Sequence, residues 1–202
     1  MRSILLSLLI LSFSNTAFAQ NKIQSIDILY TMMEMLDEEN ANVGNDEICR
    51  LSQLSNTIYE YSVENKYFTQ EQSVEHLLAL AWNETRFSFE TDHITSNYYG
   101  HACGYYQQTD AFSINKFDCR ELLYPNNATQ EALDQMQSIK ERWNGKLDQT
   151  ICHYFSGNRC GDKASQKYAS NHKNARLKAK EYLKKSKNQD HSNVKKVIAT
   201  CL

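Results

Sequence analysis

Glu84 is the side chain whose surroundings in the sequence best suit acid–base chemistry. It follows an apolar run, Val74, Leu77, Leu78, Ala81 and Trp82, in the segment Ala81-Trp82-Asn83-Glu84-Thr85-Arg86-Phe87. At helical spacing its neighbours are Leu80, Ala81, Phe87 and Ser88. A carboxyl in a mostly apolar wall loses the hydration of its ionised form, so its pKa rises. A carboxyl that is still protonated near neutral pH can give its proton to a departing oxygen. The competing reading is an ordinary surface carboxylate paired with Arg86 or with a lysine at a helix end.

The six cysteines, at positions 49, 103, 119, 152, 160 and 201, are the second chemical feature. An even number in an exported chain reads as disulfides, although sequence alone does not choose the pairing. Cys152 and Cys160 flank the shortest loop. Cys103 with Cys119 is a plausible second pair, which leaves Cys49 for Cys201. The rival chemistry is a metal site made from His101-x-Cys103, Cys152-His153 and Cys160. Those spacings fit no zinc pattern.

The export signal comes from the first residues. Arg2 precedes the apolar run Ile4 to Phe13, which is too short to span a bilayer, and Ala17-Phe18-Ala19 offers a cleavage site. Residues 1–19 read as a secretory signal peptide, so the mature protein is expected to be periplasmic or secreted, without membrane insertion. The chain has 202 residues, enough for one domain with a substantial core. With 1 Pro and 6 Gly it lacks the turn chemistry of a sandwich or barrel, which favours helices. A formal charge of -2 argues against a nucleic-acid module. The charge is uneven: residues 20–100 hold 4 basic and 14 acidic side chains, residues 101–202 hold 17 and 10. The basic excess, mostly beyond Arg159, reads as a solvated helix face or as an attraction to an anionic polymer such as cell wall.

The elements that must position Glu84 follow from periodicity. Apolar residues from Ile23 to Leu36 recur at helical spacing, and Asp46 is expected to cap a second helix running to Tyr61. Thr69 with Gln72 forms a capping box for the Val74–Trp82 helix, the expected centre of the core. Residues 88–103 read as loop and Gly104 to Lys116 as a short helix. Pro125-Asn126-Asn127 reads as a break, followed by helices at about 129–143, 148–156 and 163–185, and the tail from 186 is charged.

Three further segments, taken in order with Glu84-Thr85 and Phe87, resemble the lytic transglycosylases of the lysozyme superfamily. His101-Ala102-Cys103-Gly104-Tyr105-Tyr106-Gln107 matches the family's G-A-x-G-L-M-Q at Ala, Gly and Gln. His153-Tyr154-Phe155-Ser156-Gly157 matches A-Y-N-x-G at Tyr and Gly, with Phe155 in place of Asn. Tyr168 stands where a further family Tyr falls. The resemblance covers about residues 70–183. It implies a mostly α, lysozyme-like domain, assigned to residues 69–202; the N-terminal helical segment over residues 20–68, read from periodicity, lies outside the resemblance. The resemblance further implies a cleft that binds a peptidoglycan glycan strand and cleaves its β-1,4 bond, with no metal and no organic cofactor. Glu84 is then the catalytic acid and base. Gln107, Tyr154, Tyr168, Tyr106 and Gly104 are the substrate-side residues, with Tyr105 and Tyr106 offering ring faces to sugars. Cell-envelope assembly or secretion machinery is a further expected partner.

Other function classes stay open at this point. A two-carboxylate hydrolase would recruit Glu90, Asp92 or Asp110. A non-catalytic wall-binding protein on the same fold would explain Phe155 and His101. An unrelated disulfide-bonded structural domain would owe its motif matches to chance.

Overall fold

A computed structural model describes residues 22–41, 43–88, 95–97 (backbone only), 100–157 and 160–201. Residues 1–19, read above as a signal peptide, and Glu90 and Asp92 lie outside the described residues. Long helices run over Ser25–Asp37 (α1), Asn45–Glu64 (α2), Gln70–Thr85 (α3), Pro125–Trp143 (α4) and Lys163–Ser186 (α7). Shorter ones cover Leu147–Thr150 (α5), Cys152–Ser156 (α6) and Ser192–Ile198 (α8). Between α3 and α4 lies a small antiparallel sheet, β1 (Thr95–Asn97), β2 (Gly100–Cys103) and β3 (Gln108–Thr109), in the order β1-β2-β3. The protein is mostly α.

The capping box at α3 forms as the sequence indicates. Thr69 Oγ1 accepts from the Gln72 N–H at 3.2 Å, and Gln72 Oε1 accepts from the Thr69 N–H at 3.2 Å. From Ser73 to Trp82 every residue of α3 is buried, so the helix is surrounded rather than amphipathic. It packs most extensively against α7, where Ala175 and Ala179 let the two backbones approach closely. One continuous hydrophobic core joins α1 and α2 to α3, α4 and α7. The segment over residues 22–64 is therefore a wall of the same core.

Several expectations need correction. Gly44, not Asp46, is the N-cap of α2, and Asp46 sits in its first turn, where a carboxylate favours the helix dipole. Residues 95–97 and 100–103 are strands rather than loop, too short for alternation to register in the sequence. Gly104 to Lys116 is not a helix: a four-residue turn, Gly104–Gln107, joins β2 to β3, and a single 3-10 turn follows at Asp110–Phe112. Pro125 does not break the chain but begins α4 at its first position, where its missing N–H costs nothing. The expected 148–156 helix is two short turns, α5 and α6, and the charged tail contains α8.

Gly104 is fixed by the backbone. Its φ is +71°, and a Cβ there would meet the Leu122 carbonyl oxygen at 2.2 Å. Glycine alone suits both conditions. Gly104→Ala is expected to cost at least about 2 kcal/mol. A Tm close to that of the parent protein in a thermal scan would refute the packing described.

The charge asymmetry seen in the sequence is partly consumed inside the fold. Arg176 on α7 pairs with Asp148 at 2.7 Å and Glu75 at 3.5 Å, and Lys178 pairs with Glu38. Buried Asp27 accepts from Ser186 at 2.5 Å, with His191 3.6 Å away. Acidic N-terminal helices thus close on the basic α7. At the α3–α7 seam, His76 Nδ1 and His172 Nε2 lie 2.9 Å apart. Burial holds both imidazoles in the neutral form at pH 7, His76 being pushed down to about 3.

Candidate active site

Glu84 is the penultimate residue of α3 and is partly exposed at its end. Tyr168, in the first turns of α7, donates its phenol proton to Glu84 Oε1 at 2.5 Å. Arg86, the partner a salt-bridge reading would choose, turns away: it faces Glu39 at 3.5 Å and lies over the Trp82 ring. No cation pairs with Glu84 among the described residues. Burial raises its pKa to about 7, against the opposing pull of the Tyr168 hydroxyl. Half of such groups carry a proton at neutral pH, the condition a general acid requires.

Thr85 fixes the neighbouring turn, a role the sequence did not disclose. Its hydroxyl lies 3.1 Å from both the Ala81 and the Tyr105 carbonyl oxygens. The Gly104–Gln107 turn is thereby held against the end of α3. Tyr154 adds a second tie, donating to the Tyr106 carbonyl at 3.2 Å. The Glu84 charge raises the Tyr154 pKa beyond the effect of burial, which comes first, so the two groups are electrostatic neighbours.

Backbone strain gathers here as well. Arg86, Phe87 and Gln107 all have positive φ, at 55°, 60° and 46°. Each left-handed non-glycine residue costs roughly 1–2 kcal/mol. Two sit immediately after Thr85 and the third ends the turn that Thr85 holds.

A groove of about 960 Å³ opens beside this cluster. Gln107 and Phe112 line one part, Tyr154 and Phe155 another, and Arg142 and Gln135 of α4 contribute a third. Phe155, 54 % exposed, stacks on the Tyr168 ring with centroids 5.0 Å apart, so the groove wall reaches Glu84 through two aromatic side chains. Among the described residues no carboxylate lines the groove itself. Glu131, fully buried nearby on α4, is saturated by donors: the N–H groups of Ile114 (2.6 Å) and Asn115 (3.0 Å), Ser113 Oγ (3.0 Å) and two side-chain amides. It anchors the 113–115 loop that carries Ile114 to the groove edge. Asp110 is likewise committed, accepting from the His101 and Ala111 N–H groups at 3.2 and 2.7 Å.

The residues singled out in the sequence therefore separate into two groups. Glu84, Tyr168, Tyr154 and Gln107 converge on one region. Tyr106 does not reach substrate: its ring is completely buried and its hydroxyl lies 3.3 Å from Thr129 Oγ1. Tyr105 is 2 % exposed, so neither ring offers a face to a sugar in the groove. Gly104 serves the turn, not a ligand. Sequence reasoning placed Thr85 in the motif beside Glu84 but not its tie to the turn, and it missed Glu131, which left no local trace.

The cysteines pair as Cys49–Cys201, Cys103–Cys119 and Cys152–Cys160, with Cα separations of 5.4, 5.5 and 5.4 Å. The alternative metal reading fails on this ground. Cys152, His153 and Cys160 place their ligand atoms within 4.8 Å of one another, but the bridge consumes both sulfurs. No helix among the described residues is long and apolar enough to cross a membrane. Comparison with known family models, curated proteins and solved structures finds no match to this chain.

Proposed function

We propose that the protein is an exported, lysozyme-like lytic transglycosylase that cleaves the β-1,4 bond between N-acetylmuramic acid and N-acetylglucosamine in peptidoglycan. The observation that carries this reading is Glu84: a carboxyl with a pKa of about 7, held by Tyr168, whose ring stacks on Phe155 of the groove wall. Two-carboxylate glycosidases need a partner for the nucleophile or the water. A single-carboxylate route uses the sugar's own hydroxyl instead.

In this mechanism protonated Glu84 donates to the glycosidic oxygen as the C1–O4 bond breaks through an oxocarbenium-like transition state. The muramic acid C6 hydroxyl attacks C1, forming the O6–C1 bond, and ionised Glu84 takes its proton. Glu84 ends protonated again, and no water is consumed. Tyr168 orients the carboxyl and stabilises its ionised form. The exposed faces of Phe155 and Phe112 suit the apolar faces of sugar rings, and Gln107 and Gln135 add polar side chains to the groove wall. The three disulfides support an oxidising compartment, in line with the leader-like segment 1–19. Mass spectrometry of digested peptidoglycan tests the reading. Products lighter by one water than hydrolytic fragments are expected; hydrated reducing ends would make the protein a lysozyme instead, and intact strands would end the enzymatic reading.

The tyrosine gives a directional test. Its hydrogen bond favours the carboxylate, so removing it raises the Glu84 pKa further. Activity requires the protonated acid and falls as pH rises past that pKa. Tyr168→Phe is therefore expected to shift the alkaline limb of kcat/KM upward by up to about one pH unit, with a lower maximum. An unchanged or lowered limb would show that the Tyr168 hydroxyl does not stabilise the Glu84 carboxylate.

A further inference from the structure

We infer that the protein has a second binding site, for a carboxylate-bearing peptide, in a cavity of about 510 Å³ that shares no lining residue with the groove. The Gly104–Gln107 turn contributes to both, Tyr105 to this cavity and Gln107 to the groove. Helix α2 supplies Arg50 and Gln53, and the chain entering α4 supplies Arg120, Leu123, Tyr124 and Pro125.

Among the described residues two guanidiniums and no carboxylate line this cavity, and only the Arg50 charge is partly offset by a neighbour outside the lining, Glu47. Glu47 pairs with Arg50 from one turn earlier on α2, which holds the side chain in place. Arg120 has no ion pair among the described residues. An arginine fork matches the plane of a carboxylate, and a neutral sugar offers it nothing comparable. The rest of the wall is apolar: the Tyr105 ring is packed against the core, whereas Tyr124 is 67 % exposed and leaves its ring largely uncovered. A ligand with both an anionic group and an aliphatic flank would satisfy the two halves of this surface. Two guanidiniums in a chain of formal charge -2 are too few for a nucleic-acid backbone.

The source of such a peptide rests on the proposed function: the stems that hang from a peptidoglycan strand carry free carboxylates on short aliphatic residues. A stem of about four residues extends roughly 13 Å when fully stretched, and the same four-residue turn lines both the cavity and the groove.

The test is a calorimetric titration of the mature, oxidised protein with a synthetic, sugar-free stem peptide ending in D-alanine. Saturable binding is expected, weakened at least tenfold in the Arg50→Gln/Arg120→Gln double variant and equally weakened for the peptide with its carboxyls amidated. The amidated arm involves no mutation and so does not depend on the variant folding. Equal binding by the double variant, equal binding of the amidated peptide, or displacement by an equal concentration of inorganic phosphate would each overturn the assignment. Because the probe carries no glycosidic bond, the outcome is independent of whether Glu84 cleaves anything.

Discussion

Glu84→Gln is expected to lower peptidoglycan cleavage roughly a thousand-fold or more while leaving the helical fold intact. The glutamine keeps the size and one oxygen for the Tyr168 hydroxyl, but it has no proton to give and cannot take one back. The same change should stabilise the protein at alkaline pH. In the folded state the Glu84 pKa stands near 7, above its unfolded value. Ionisation is then easier in the unfolded chain, so stability is lost as pH rises from the unfolded pKa through the folded one. Glutamine removes that loss, and because Glu84 is partly exposed the gain at pH 8 is about 1–2 kcal/mol. Release of soluble muropeptides by the variant at the parental rate would remove Glu84 from the chemistry. A variant less stable than the parent at pH 8 would contradict the burial that raises its pKa.

The double substitution Cys49→Ser/Cys201→Ser should have the largest effect on stability. This bridge joins α2 to the segment after α8 across 152 residues of sequence. Closing so long a loop restricts the unfolded chain strongly, by about 3–5 kcal/mol in practice. For a domain of this size the expected loss is roughly 10 °C or more in Tm. Locally the effect falls on α8, which has no fully buried residue and otherwise holds the core only through half-buried Val194, Val197 and Ile198. Its amides should lose hydrogen-exchange protection while those of α3 keep theirs. A melting curve within a few degrees of the parent, with α8 still protected, would contradict this account.

The helices were legible in the sequence where an apolar pattern is long or a cap is explicit. The apolar spacing of Ile23 to Leu36, the Thr69–Gln72 box and the Val74–Trp82 run state their own local physics, and α1 and α3 follow them closely. The sheet was hidden because two to four residues per strand carry no readable alternation, and because Tyr105-Tyr106 mimics a helical stripe. The direction of Pro125 was misjudged for a related reason: the same residue ends one segment or begins the next, and only the neighbouring 3-10 turn decides. At the site, Glu84 was visible from its apolar surroundings. Its partner Tyr168 lies 84 residues away, and nothing in the local physics of either segment joins them. Tyr106 misled because an aromatic side chain beside a cleft and one in the core look alike in sequence; its 0 % exposure is a tertiary fact.

The order of the half-cystines along the chain has a consequence for how the molecule matures. Cys103–Cys119 and Cys152–Cys160 are neighbours in sequence and nest inside Cys49–Cys201 like brackets within brackets. An oxidase acting on thiols in their order of arrival would join Cys49 to Cys103 and Cys119 to Cys152, leaving Cys160 for Cys201. Reaching the native set from there requires thiolate attack and reshuffling, so adding a disulfide isomerase to an oxidant is expected to raise the yield of natively bridged protein.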